Sequence, residues 1–146
     1  MHSPFIEQAL KPFETVMKHQ KNLSLEEQEI IYAAAHGFYE HGDYEKSAGN
    51  FVHLVMTNPF EKKFWKGLAS ARQMQKEYKA ALHAWAIVCL LDDQDPFPHF
   101  HAAENLHQLQ EKEEAMKALA CAEALLKEEQ GHRMLKNKIH SLKNFN

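Results

Sequence analysis

Residues of matching size return in this chain every 34 positions: Ala35, Ala69 and Ala103 fall in register, as do Ser47, Ala81 and Ala115. Bulkier positions keep the same step, with Phe51, Trp85 and Leu119 in one row and Leu54, Val88 and Ala122 in the next. A period of this length fits a pair of antiparallel helices stacked copy on copy, so that neighbouring copies share one core. The two helices of a pair approach closely at the small residues, and the large ones fill the gaps beside them.

The middle copy carries the clearest signature, with Trp65, Leu68, Ala69, Ala81 and Trp85 at the consensus places of a tetratricopeptide repeat. Ala69 stands where glycine is usual, and Arg72 where an aromatic is usual. Ile31, Ala35, Phe38, Ser47, Phe51 and Pro59 fit the first copy, and Ala103, Leu106, Ala115 and Leu119 fit the third. The expected fold is therefore all-α, with three helix pairs over 28–61, 62–95 and 96–129 in a curved solenoid. An N-terminal helix within 1–23 and a C-terminal capping helix within 130–146 complete one domain, 1–146.

Local signals refine the boundaries. Ser3 and Pro4 open an amphipathic helix through Phe5, Ala9 and Phe13. Ser24 with Glu27 forms a capping box before a helix from Leu25 to about His41, and Gly42 with Asp43 makes the turn. Tyr44–Met56 follows, and Asn58 with Pro59 supplies the next cap and start. Further helices are expected over Phe60–Gln75, Tyr78–Leu91, Pro96–Leu109 and Lys112–Lys127, with Asp95 and Pro96 opening the third pair. Gly131 then separates a terminal helix bearing Leu135, Ile139 and Leu142.

Charge and composition exclude several classes of function. A net charge of -3, built from interleaved acids and bases, offers no basic stripe for nucleic acid. The longest apolar run, Ala84–Leu91, is eight residues long, whereas a membrane span needs about twenty, so no membrane insertion is expected. Cys89 and Cys121 lie in apolar stretches of a chain without a secretory signal, which fits reduced, buried thiols in a cytoplasm.

In such a solenoid the first helix of each pair faces the inner surface, and its fifth, ninth and twelfth repeat positions project together. They are Tyr32, His36 and Tyr39 in the first repeat, Lys66, Ser70 and Gln73 in the second, and Phe100, Glu104 and His107 in the third. Ile31, Ala34, Ala35 and Phe38 supply the buried stripe of the first helix, leaving Tyr32 and Tyr39 on a more open face. Their hydroxyl-bearing rings suit a wet groove.

Catalysis, metal and cofactor binding are not expected. Eleven histidines include His99, His101 and His107, and Glu104 with His107 has Glu-x-x-His spacing. Di-metal bundles need a second such motif and two further glutamates on facing helices. Neither a glycine-rich phosphate loop nor a nucleophile motif is present. The carboxylate clamp of tetratricopeptide co-chaperones is missing too, because Tyr32, His36, Ser70, Phe97 and His101 occupy its places.

Three stretches are more specific than the repeat: YEHGDYEKSAGNF at 39–51, GLASARQMQKEY at 67–78 and DPFPHFHAAE at 95–104. With their order, the three repeats, the N-terminal helix and the length, the chain resembles the class II type III secretion chaperones. The resemblance implies a bacterial cytoplasmic protein that binds two hydrophobic, pore-forming translocators and keeps them soluble and apart before export. It implies that an extended client segment with a proline, a leucine and a second proline lies in the groove at Tyr32, His36 and Tyr39. His36 stands where the family often has an aromatic. The resemblance also implies a homodimer through the N-terminal region, for which Phe5, Ala9 and Phe13 are the candidate residues. The alternative is a generic tetratricopeptide scaffold for another peptide or protein.

Overall fold

A computed structural model describes residues 23–145, which form seven α-helices and no strand. In chain order these are α1 (Leu25–Glu40), α2 (Tyr44–Thr57), α3 (Lys62–Met74), α4 (Tyr78–Leu91), α5 (Pro96–Gln108), α6 (Lys112–Ala124) and α7 (Gln130–Lys143). The first six make three consecutive pairs and α7 closes the stack against the last of them. The fold is an all-α solenoid. The N-terminal helix expected within 1–23, with Phe5, Ala9 and Phe13, lies outside the described residues.

Each helix pair is joined by the same turn. Gly42, Lys76 and Gln110, again 34 apart, all take positive φ, at 80°, 63° and 64°. In the first, the Asp43 amide donates to the Phe38 carbonyl at 2.8 Å and the Gly42 amide to Tyr39 at 3.0 Å. The same two bonds recur from Glu77 and Lys76 and from Glu111 and Gln110, which makes three Schellman motifs. Asp43, Glu77 and Glu111 then take the N-cap positions of the second helices, where the Asp43 side chain accepts from the Lys46 amide.

The small residues lie where the register places them. Ala35, Ala69 and Ala103 are buried at the contact within each pair, opposite Ser47, Ala81 and Ala115. The Ser47 hydroxyl is satisfied by donating to the Ala35 carbonyl at 2.8 Å, so a polar atom sits in the core without an open bond. Phe51, Trp85 and Leu119 are buried beside them, and one apolar cluster runs from Ala35 to Ile139.

Several boundaries differ from expectation. α3 starts at Lys62 behind Glu61, so Asn58 and Pro59 do not cap it. The Pro59 carbonyl instead accepts the Trp65 indole N–H at 2.7 Å, and the Asn58 amide donates to Gln28 at 3.3 Å. The starts that matter are Glu61, Asp95 and Glu129, which keep the 34-residue step. α6 ends at Ala124, before the expected Lys127, and Gly131 falls inside the first turn of α7. Cys89 is buried as expected, but Cys121 is exposed.

The expected apolar stripe of α1 is only partly buried. Ala35 is inaccessible, Ile31 and Phe38 are half-buried, and Ala34 is exposed. The register explains the difference. One step on, Phe64, Leu68 and Ala71 are buried facing the preceding pair, the Phe64 ring lying 5.7 Å from that of Tyr32. Their counterparts Ile30, Ala34 and Gly37 have no earlier pair before them among the described residues, and Ile30 is 64% exposed.

Candidate peptide-binding groove

Five of the nine expected groove residues come together in one recess between α1 and α3. Tyr32, His36, Tyr39, Lys66 and Ser70 line it with Phe51, Lys63 and Gly67, around a volume of about 230 Å³. Tyr32 is central. Its ring meets Phe51 edge-on at 5.9 Å and Phe64 at 5.7 Å, while Lys63 Nζ lies 4.8 Å from its centroid. Gly67 forms the floor, and a Cβ there would lie 2.2 Å from the Phe51 ring, so any larger residue must displace that ring. At the rim His36 Nδ1 is 3.5 Å from Glu40, and Tyr39 stands edge-on to Tyr44 at 5.4 Å. Burial, followed by Tyr44 and Glu40, holds the Tyr39 phenol above its ordinary pKa, so it stays a neutral donor.

Phe51, Lys63 and Gly67 were not among the expected site residues. Phe51 reads as core in the register, and Gly67 reads as one more small helix residue. Lys63 is three residues before Lys66, which places both on one helix face and is a signal available from sequence.

The other four residues part company. Phe100 and Glu104 border a second, more open recess of about 470 Å³ with His101, Asn137, Lys138, Ser141, Leu142 and Phe145. His107 packs against Phe145 at 5.1 Å in a third recess beneath the end of α7. Gln73 belongs to a polar brace between α3, α4 and α5. Its Oε1 accepts from the Trp85 indole and from the Asn105 amide, both at 2.9 Å, and its Nε2 donates to Glu104 at 3.2 Å.

His101 completes the brace. Nδ1 lies 2.7 Å from Glu104 and the ring stacks on Trp85 at 4.6 Å. Burial would raise the Glu104 pKa, but the bond and charge of His101 and the Gln73 amide bring it below the ordinary 4.5. Glu104 thus stays an ionised acceptor, and its partner is His101, not the His107 of the Glu-x-x-His spacing. No group of three or more potential metal-ligating side chains converges among the described residues. Burial, with smaller effects from Asp95 and Cys121, pushes the Cys89 thiol up to about 12, which suits packing and not nucleophilic attack.

The recess is an apolar pocket with aromatic walls and a cationic edge, on a scaffold shared with proteins of known type. The low calcium response locus protein H of Yersinia pestis is 30% identical over 114 residues, 78% of this chain and 68% of that protein. The chain belongs to the class II type III secretion chaperones. Among solved chaperones of this kind, Yersinia enterocolitica SycD in complex with a peptide of the translocator YopD superposes with a TM-score of 0.80 at 28% identity. The match covers 84% of this chaperone and 94% of SycD. PcrH in complex with the chaperone binding region of PopD gives a TM-score of 0.79 at 27% identity, covering 84% and 92%. No protein-family model matches the chain. No helix of the described part of this chaperone is long and apolar enough to cross a membrane.

Proposed function

We propose that this chaperone acts in the bacterial cytoplasm, holding hydrophobic translocators of its secretion system by an extended segment seated in the α1–α3 recess and keeping them apart before export. The observation that carries the reading is the recess itself, where Tyr32, Tyr39 and Phe51 wall an apolar pocket. SycD and PcrH, which share the fold, were solved with translocator segments bound. An extended, proline-containing segment loses little entropy on binding and can present separated side chains to such pockets.

Energetics set the form of the complex. Burying one apolar anchor contributes about 1.5–3 kcal/mol, and association costs about 4–15 kcal/mol. A short segment therefore binds weakly, and a full client needs wider contacts, for which the whole chain, 1–146, serves as one domain. The test is co-expression of the host's two hydrophobic translocators with wild-type chaperone or with the Tyr32→Ala, Tyr39→Ala double variant. Soluble complex is expected with wild type and lost with the double variant, whose helicity stays intact by circular dichroism. Equal recovery by both forms rejects the recess as the site.

A further inference from the structure

The edge of the recess carries positive charge that no carboxylate within ion-pair distance neutralises among the described residues. Lys63 and Lys66 both line it, one helical turn apart on α3. Neither has a carboxylate within 4 Å among the described residues, unlike Lys62 beside them, which bridges Asp92 at 2.6 Å and Asp95 at 3.0 Å. Asp92 is the acid whose field reaches Lys66, and it is already bonded to Lys62. Lys63 is exposed, and its Nζ lies 4.8 Å from the centroid of the Tyr32 ring, which places its charge at the mouth of the pocket. Glu40, next to Tyr39 at the rim, faces His36 on α1. Further along the groove the charge is mixed, because Glu104, bonded to His101, shares the second recess with Lys138.

An apolar pocket with two lysines lacking acid partners at one edge discriminates by what flanks the anchor. We infer that the recess prefers segments carrying an aspartate or glutamate beside the apolar side chain that fills it, with Lys63 and Lys66 reading that carboxylate. The inference rests on the proposal that client segments bind in this recess. It adds a direction: the acidic neighbour lies toward the α3 edge of the first pocket, whereas at the far end Glu104 and Lys138 offset each other. Charge pairs at a partly exposed rim are individually small and act mainly through selection against the wrong sign.

The probe is a set of short fluorescein-labelled peptides in a serine–alanine background with a proline, a leucine and a second proline. The residues flanking the leucine are aspartate, asparagine or lysine, and binding is read by anisotropy. Wild type is expected to prefer the aspartate peptide over the lysine peptide by about fivefold at low salt, and high salt should erase most of the difference. Lys63→Glu with Lys66→Glu should invert the order, and the milder Lys63→Gln with Lys66→Gln should flatten it. An order unchanged by either pair overturns the inference, and so does a preference insensitive to salt. Binding that survives Tyr32→Ala with Tyr39→Ala, or no binding by wild type to any peptide, overturns the recess as the site and the inference with it. A flat order in a wild type whose binding is lost in the tyrosine variant rejects the lysine readout alone.

Discussion

Replacing Gly67 by alanine puts the packing of the recess to a direct test. The new Cβ would lie 2.2 Å from Cε1 and Cζ of Phe51 and 2.6 Å from Cδ1. Carbon atoms in contact sit about 3.5–4.0 Å apart, so the ring must retreat by more than about 1 Å. Phe51 is buried and leans edge-on against Tyr32, so its retreat moves the wall of the pocket. Overpacking of this kind costs about 1–3 kcal/mol, and alanine returns about 1 kcal/mol in helix propensity. The net loss is about 1 kcal/mol, or a fall of about 3 °C in Tm for a chain of this size. Gly49 in α2 is the control, since nothing lies within 4 Å of a Cβ there. Its alanine variant should gain about 0.5–1 kcal/mol and raise the Tm. Thermal unfolding followed by circular dichroism should thus move in opposite directions for two chemically identical swaps, and client binding should weaken only in Gly67→Ala. If both variants gain stability equally, the reasoning about Phe51 is wrong.

Lys76 and Gln110 hold left-handed backbone at φ 63° and 64°, a conformation that costs a residue other than glycine about 1–2 kcal/mol. Lys76→Gly and Gln110→Gly should each raise the urea midpoint, whereas Gly42→Ala should lower it. Burial, opposed for His99 by Asp95 and reinforced for His83 by Lys79, holds both imidazoles below the ordinary 6.5. The unfolded chain therefore takes up their protons first, so their contribution is complete above that value and is lost as pH falls through the folded values. Glu104, depressed below 4.5, loses its contribution lower still. Tm should decline in two steps on acidification, and His83→Gln with His99→Gln should remove the upper step alone.

The helix pairs were legible because their cause is periodic. Small residues at Ala35, Ala69 and Ala103 and at Ser47, Ala81 and Ala115 obey one step, and a chain that stacks similar units must repeat them. Errors arose where a local signal was preferred to the register: Asn58 and Pro59 have the chemistry of a helix start, yet the start equivalent to Asp95 is Glu61. α1 differs for a related reason, since its stripe through Ile31, Ala34 and Phe38 is burial-competent by pattern, but burial needs a neighbour. In the groove, projection from the inner helices brings Tyr32, His36, Tyr39, Lys66 and Ser70 to one recess. Sequence spacing says which side chains share a face. It does not say that Gln73 will take Trp85, Asn105 and Glu104 as partners across three helices, because that choice depends on side-chain reach after packing.

The polar brace gives the two ends of the groove different tolerances for evolutionary change in a client. Gln73 has one amide hydrogen left and its Oε1 is filled by Trp85 and Asn105, so this side chain is committed to holding three helices together and not to following an incoming backbone. What the α5 end does offer is shape, through His101 and the open recess beneath α7. Client residues seated there can drift among side chains of similar bulk with little loss. With clients seated as proposed, residues entering the recess at Tyr32 should be held to a narrower alphabet, and homologous clients should diverge fastest toward α7 and slowest toward α1.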